Sequence, residues 1–202
     1  MSRNVVDIFS VPLCIETQVY DMSQEELNYL KSLDTRETPN NKISQDIFVG
    51  NNNKLSKLMN IIDYYVENYK SEVLQIDNEI YRTQSWLAIS KKGQSHHEHE
   101  HPNTFISAVF YVNCNSGDLV LKRPRSVLQD GFNFSYKIKK FTPANCRKWS
   151  VPLKTGDLAI FPAWITHFTY ENEDDNDRII LGVNYFLKGQ IGTEKGVDII
   201  RI

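Results

Sequence analysis

The chain has 202 residues, 41 % of them hydrophobic and 24 % charged, which is the make-up of a folded globular protein and excludes disordered or collagen-like chains. Its 23 basic and 25 acidic side chains give a formal charge of −2, so nothing global attracts nucleic acid or an anionic membrane, and any such affinity must be local. The start MSRNVVDIFSVPLCIET lacks a signal-peptide core and no stretch approaches ~18 apolar residues, which predicts a cytoplasmic protein without membrane contact. Cys14, Cys114 and Cys146 are few, odd in number and far apart, so they read as free thiols rather than as disulfide or zinc partners.

The length predicts one domain over 1–202. Its first element is a short helix: Ser23 followed by Glu26 makes a capping box, and Leu27, Leu30 and Leu33 recur every three residues before Pro39. From Lys54, the apolar residues Leu55, Leu58, Ile62, Tyr65, Tyr69 and Val73 step by three or four, predicting a long amphipathic helix to about residue 74. Beyond it, β-branched and aromatic runs alternate with Gly, Asn, Asp and Pro, and predict strands at 81–90, 104–113, 118–122, 157–161, 167–171 and 178–187. Strands so spaced build an antiparallel sandwich or barrel. The run ENEDDNDR is an exposed turn between two of them. Residues 124–150 form a long connection with six basic side chains and one acidic, interspersed with Phe132, Phe134, Tyr136, Phe141 and Trp149. Such a segment suits a binding loop, although 132–140 also reads as a hairpin that covers the barrel.

Four of the five histidines, His96, His97, His99 and His101, fall within six consecutive residues, and His167 lies far downstream. Imidazole is the commonest protein ligand of divalent first-row metals, so the cluster points to a metal site. HEHEH contains the letters HExxH of helical zinc proteases, but Gly93 and Pro102 bracket the run and a strand follows, which leaves no helix for it. In an extended segment, side chains two apart share a face. His97 with His99, and His99 with His101, satisfy that equally, while Glu98 and Glu100 point the other way. The wider pattern matches cupins: Gly93, five residues, His99, one residue, His101; then Gly156, five residues, Pro162, and His167. The cupin glutamate is absent, since Phe105 and Ile106 stand in its place. Three ligands leave positions open for reactants, as in non-haem iron oxygenases.

The segments HEHPNTFISAVFYVN and GDLAIFPAWITHFTYENEDDNDRIILGVNYF resemble the iron(II)- and 2-oxoglutarate-dependent dioxygenases, nearest to a bacterial and phage type that opens H-x-H-P-N-S, with related motifs in prolyl hydroxylases. The resemblance covers residues 82–187. It implies a double-stranded β-helix (jelly-roll) core over 81–187, a helical buttress over 1–80 and a C-terminal extension over 188–202. It implies Fe(II) held by His99, His101 and His167, with His101 where most relatives carry aspartate. Arg178, eleven residues past His167, would grip the far carboxylate of 2-oxoglutarate, helped by Tyr111 and, more weakly, by Asn184 on the same strand face as Arg178. A planar guanidinium fork suits a carboxylate. The implied reaction consumes dioxygen and 2-oxoglutarate, releases succinate and carbon dioxide, and hydroxylates a substrate such as a peptide side chain. Two alternatives stay open: a cupin-type metalloenzyme acting without 2-oxoglutarate, and a β-sandwich binding module with incidental histidines. For each site residue there is also a plainer reading: Arg178 paired with Asp175 or Asp177, Tyr111 as core, and His96 and His97 as solvent-exposed neighbours.

Overall fold

A computed structural model of the chain describes residues 10–123, 137–192 and 198–202. The capping box forms as predicted: the Ser23 side chain accepts from the Glu26 N–H while the Glu26 carboxylate accepts the Ser23 N–H, starting helix α1, Gln24–Lys31. The longer pattern folds as a 3-10 turn, Asn53–Leu55, the helix α2, Ser56–Asn68, and a π-helical turn, Tyr69–Leu74, which Gln75 ends at a left-handed φ of 52°. The amphipathic period therefore reads through to residue 74, although the last six residues widen from α to π geometry.

Twelve strands lie among the described residues: β1 (Cys14–Glu16), β2 (Thr35–Glu37), β3 (Lys42–Ser44), β4 (Ile80–Ser90), β5 (Ile106–Asn113), β6 (Leu119–Lys122), β7 (Lys148–Val151), β8 (Leu158–Pro162), β9 (His167–Thr169), β10 (Arg178–Leu187), β11 (Gln190–Ile191) and β12 (Ile200–Arg201). The six predicted strands are all present. The first 80 residues are not purely helical, because β1, β2 and β3 join the main sheet. That sheet runs β1-β8-β5-β10-β4-β3-β2, a smaller one runs β7-β6-β9, and every strand pairing in both is antiparallel. The predicted binding loop or hairpin falls largely outside the described residues, with Phe132, Phe134 and Tyr136 among those not described.

The two faces of the large sheet have different partners. On one face Ile106, Ala108, Phe110, Leu158, Ile160, Leu181 and Val183 pack with Leu55, Leu58, Met59, Ile62, Val66 and Tyr69 of the helical segment. On the other, Val109, Tyr111, Ala159, Phe161 and Ile180 pack with Leu119 and Leu121 of the small sheet. This alternation places a second sheet over the first, the double-stranded β-helix that the sequence resemblance implies. The helical segment is also pinned by polar contacts. The buried Tyr185 hydroxyl donates to Asp63 of α2, 2.7 Å away, and Arg82 pairs with the same carboxylate oxygen at 3.2 Å. No helix among the described residues is long and apolar enough to cross a membrane.

Because Ile62 is fully buried between α2 and the sheet, Ile62→Ala should lower unfolding stability by about 2–5 kcal/mol through a cavity that neighbours fill only in part. A chemical-denaturation midpoint measures it, and a midpoint equal to that of the unsubstituted chain would show that the helix does not cover the sheet this way.

Candidate metal centre

The histidine run is extended, and it lies beside β9. His99 and His167 form a directly opposed antiparallel pair, the His99 N–H donating to the His167 carbonyl at 3.0 Å and the His167 N–H to the His99 carbonyl at 2.9 Å. Opposed residues in such a pair share a face, so both rings point inward. His101, two residues on, shares that face and is anchored by its N–H to the Ala163 carbonyl. Glu98 and Glu100 point outward, where Glu98 pairs with Lys122 and Glu100 accepts from the Thr166 hydroxyl.

The three inward rings converge through their Nε2 atoms. His101 Nε2 lies 3.2 Å from His99 Nε2 and 3.2 Å from His167 Nε2. Each Nδ1 is committed elsewhere: that of His99 to the His97 carbonyl (2.7 Å), that of His167 to the Ile165 carbonyl (2.9 Å), and that of His101 to Asn184 Oδ1 (2.8 Å). Asn184 turns its oxygen this way because the Ser107 hydroxyl donates to the same atom and Asn184 Nδ2 donates to Gln84 Oε1. A nitrogen facing only acceptors must carry the proton, so all three neutral rings are Nδ1–H tautomers with bare lone pairs on Nε2. Burial and neighbouring imidazoles hold the rings neutral, lowering the His101 pKa to about 4 and depressing that of His167 still further.

Three bare lone pairs at this spacing repel one another unless a cation lies between them. Two nitrogens bonded at ~2.1 Å to one metal stand ~3.0 Å apart at a right angle and ~3.4 Å apart at a tetrahedral angle. The 3.2 Å separations fall between those values, so this donor set fits a divalent ion. His97 is exposed and outside the cluster, which separates the two H-x-H pairs that the sequence leaves equal.

The remaining predicted residues lie on the same inner face. Arg178 is only 3 % exposed, at the start of β10. Its Nη1 donates to the carbonyls of Ser116, Gly117 and Tyr170, and its Nη2 donates to the Thr169 hydroxyl at 2.7 Å. The plainer alternative, a pairing of Arg178 with Asp175 or Asp177, is not seen among the described residues, where Asp175 pairs with Lys92. Gly117 is obligatory here, as a Cβ would sit 1.6 Å from Arg178 Nη1 and its φ is +86°. Tyr111 is buried on the neighbouring strand β5, and burial raises its phenol pKa, so it stays protonated. Asn184 turns out to hold His101 as well as to line the adjoining cleft.

That cleft has a volume of about 600 Å³ and opens beside the three rings. Its walls include Asn41, Ile43, Phe48, Gln84 and Trp86. The Trp86 ring lies 5.3 Å from that of His101 and rests on Gly182, where a Cβ would come within 2.6 Å of it. Sequence reasoning missed the roles of Asn41, Gln84, Trp86 and Ser107. It also misjudged His96, which is half-buried in the cleft wall rather than solvent-exposed.

A family model for 2OG-Fe(II) oxygenases matches residues 84–184, half of the chain. The chain belongs to the 2OG-Fe(II) oxygenase family. The oxygenase also resembles solved structures in fold. HygX from Streptomyces hygroscopicus, with nickel, 2-oxoglutarate and hygromycin B bound, is 12 % identical over 87 % of this chain and 82 % of its own, with a TM-score of 0.59. A Pseudomonas putida prolyl-4-hydroxylase is 12 % identical over 89 % and 95 % with a TM-score of 0.59. A Trichoplax adhaerens prolyl hydroxylase, in complex with a hypoxia inducible factor peptide, is 16 % identical over 86 % and 83 % with the same TM-score. No curated protein matches the oxygenase in sequence. The matched region contains His99, His101 and His167, a set of donors able to hold the iron that the family name specifies.

Substituting Asn184→Leu should weaken binding of Co(II), a spectroscopic stand-in for Fe(II), about 10–100-fold, because His101 loses the acceptor that keeps its proton on Nδ1. Titration calorimetry checks this, and unchanged affinity in a folded variant would contradict the tautomer argument.

Proposed function

We propose that the chain is a single-domain, cytoplasmic hydroxylase that holds Fe(II) through His99, His101 and His167 and the far carboxylate of 2-oxoglutarate through Arg178 and Tyr111. The observation that carries this reading is the convergence of three Nε2 lone pairs within a domain of the 2OG-Fe(II) oxygenase family. Bound iron and 2-oxoglutarate supply the oxidising chemistry, consuming dioxygen and releasing succinate and carbon dioxide.

The chain's own residues bind and orient. His99, His101 and His167 would hold the iron beside the cleft and, as three protein ligands, would leave room there for reactants. Arg178 is fixed by carbonyl oxygens on Nη1, while one Nη2 hydrogen and the Nε–H have no partner among the described residues. A guanidinium so held remains charged and pre-oriented for a carboxylate, and it stands close enough to Tyr111 for each to affect the other's charge. The buried, protonated phenol of Tyr111 supplies a neutral donor. Asn184 keeps the His101 lone pair aimed at the metal. An all-imidazole set is less anionic than one with a carboxylate, which favours uptake of a dianionic cosubstrate.

The substrate reading follows from the cleft wall. Among the described residues it contains no lysine or arginine and Glu100 is its one acidic residue, whereas Thr38, Asn41, Thr83, Gln84 and Asn103 offer uncharged hydrogen-bonding groups beside Ile43, Phe48 and Trp86. A phosphate or carboxylate on the substrate itself would find no lysine or arginine among these described residues. A neutral group carried on a peptide, such as a proline or another side chain, fits better.

Purified protein with Fe(II) should convert 2-oxoglutarate to succinate even without substrate. Tyr111→Phe should raise the KM for 2-oxoglutarate about tenfold with metal affinity unchanged, the loss expected of one hydrogen bond to a charged group. Arg178→Lys, which keeps charge but not the fork, should raise it further. Absence of both turnover and 2-oxoglutarate binding would leave the cupin-type alternative in its place.

A further inference from the structure

The histidine run contains a fourth imidazole that the ligand set does not use. We propose that His96 is a further cosubstrate-binding residue, donating its Nε2–H to an oxygen of 2-oxoglutarate held beside the three ligand histidines. The inference rests on the functional reading above and adds one residue to it.

Three observations carry it. First, the His96 ring is placed at the edge of the metal site without joining it: it lies 4.6 Å from the His99 ring, centroid to centroid, lines the cleft, and is outside the group of converging donors. Second, its tautomer is opposite to that of the ligands. Asn41 is 1 % exposed, and its Nδ2 meets His96 Nδ1 at 2.8 Å. The Asn41 Oδ1 is taken by the Thr38 hydroxyl at 2.7 Å, so the amide presents its N–H₂ to His96. The Thr38 oxygen already receives the Asn40 and Asn41 N–H groups, which uses both its lone pairs and leaves its hydroxyl hydrogen to face the Asn41 amide, so the atom there is the oxygen. With Nδ1 accepting, the proton of neutral His96 sits on Nε2. That N–H has no partner among the described residues, and no buried side-chain polar atom among them lacks one, so it opens to the cleft.

Third, His96 is tied to Arg178. The Thr169 hydroxyl oxygen accepts both from Arg178 Nη2 at 2.7 Å and from the His96 backbone N–H at 2.9 Å, and the Thr169 N–H returns to the His96 carbonyl. Thr169 thus joins the proposed carboxylate anchor to the residue whose ring flanks the metal ligands. A five-carbon keto diacid reaching from Arg178 toward the three ligand rings would pass close to the residue that Thr169 ties to that arginine. A neutral, uncommitted N–H is suited to a carboxylate or keto oxygen and would remain unpaired against an apolar group.

The test uses the full chain loaded with Fe(II) in the absence of dioxygen and measures the dissociation constant for 2-oxoglutarate by calorimetry. His96→Phe keeps a flat ring of similar size and removes the donor. His96→Gln restores an N–H on a side chain of similar reach. The expected result is about tenfold weaker 2-oxoglutarate binding in His96→Phe, with a smaller loss in His96→Gln and Fe(II) affinity within about twofold of the unsubstituted chain in both. Binding of 2-oxoglutarate unchanged in folded His96→Phe would overturn the assignment and leave the functional reading intact. A parallel loss of Fe(II) affinity would overturn it too, by making His96 a support of the metal. Failure of the unsubstituted chain to bind 2-oxoglutarate would instead defeat the functional reading, and this inference with it.

Discussion

The functional arrangement depends on where three protons reside. His99 and His167 each fold back onto the carbonyl two residues earlier, and His101 reaches Asn184 across the barrel, so that in every case Nδ1 keeps the hydrogen and Nε2 is left bare. A hydrogen bond between the facing nitrogens is then impossible, because neither has a proton to give. Bringing three lone pairs this close in a buried place is unfavourable unless a positive ion is held among them. The fold accepts that cost because two of the rings are fixed by main-chain geometry alone.

That geometry is a property of the sheets. The histidine run pairs with β9, and the small sheet that contains β9 lies over the large sheet, which supplies Asn184 from β10, Ser107 from β5 and Gln84 and Trp86 from β4. Alternation along each strand sends these side chains inward while their neighbours in sequence face the helical layer or solvent. Arg178 and Asn184 stand six positions apart on one strand face, so a single strand carries both the proposed carboxylate anchor and the group that orients the His101 ring. Among the described residues, none of α1 or α2 lines the cleft. The helical layer buries the far face of the large sheet and thereby makes a rigid wall for these residues.

Much of this was legible from the chain itself. The capping box, the 3.6-residue period and the six predicted strands are local patterns, and they appear where the residues place them. The strands β1, β2, β3 and β7 have only three or four residues each and too few alternations to be recognised, since their pairing partners, not their own sequence, make them strands. The extended pairing of His99 with His167 follows from the motif, but the choice against His97 does not. Residues 97, 99 and 101 have the same parity, and only the packing leaves His97 outside. The roles of Asn41 and His96 had no local signal at all, because the contact between them joins residues 55 positions apart. The crowding of histidines was the available hint, and it pointed to the metal rather than to a donor beside it.

The most direct measurement is a crystal structure of the Fe(II)-loaded protein with anomalous diffraction at the iron edge. The expected result is one iron bonded at ~2.1 Å to Nε2 of His99, His101 and His167, with each Nδ1 still on its carbonyl or amide oxygen. Iron bonded through an Nδ1 atom, carried by His96 or His97 in place of one of these rings, or missing from the site, would contradict it.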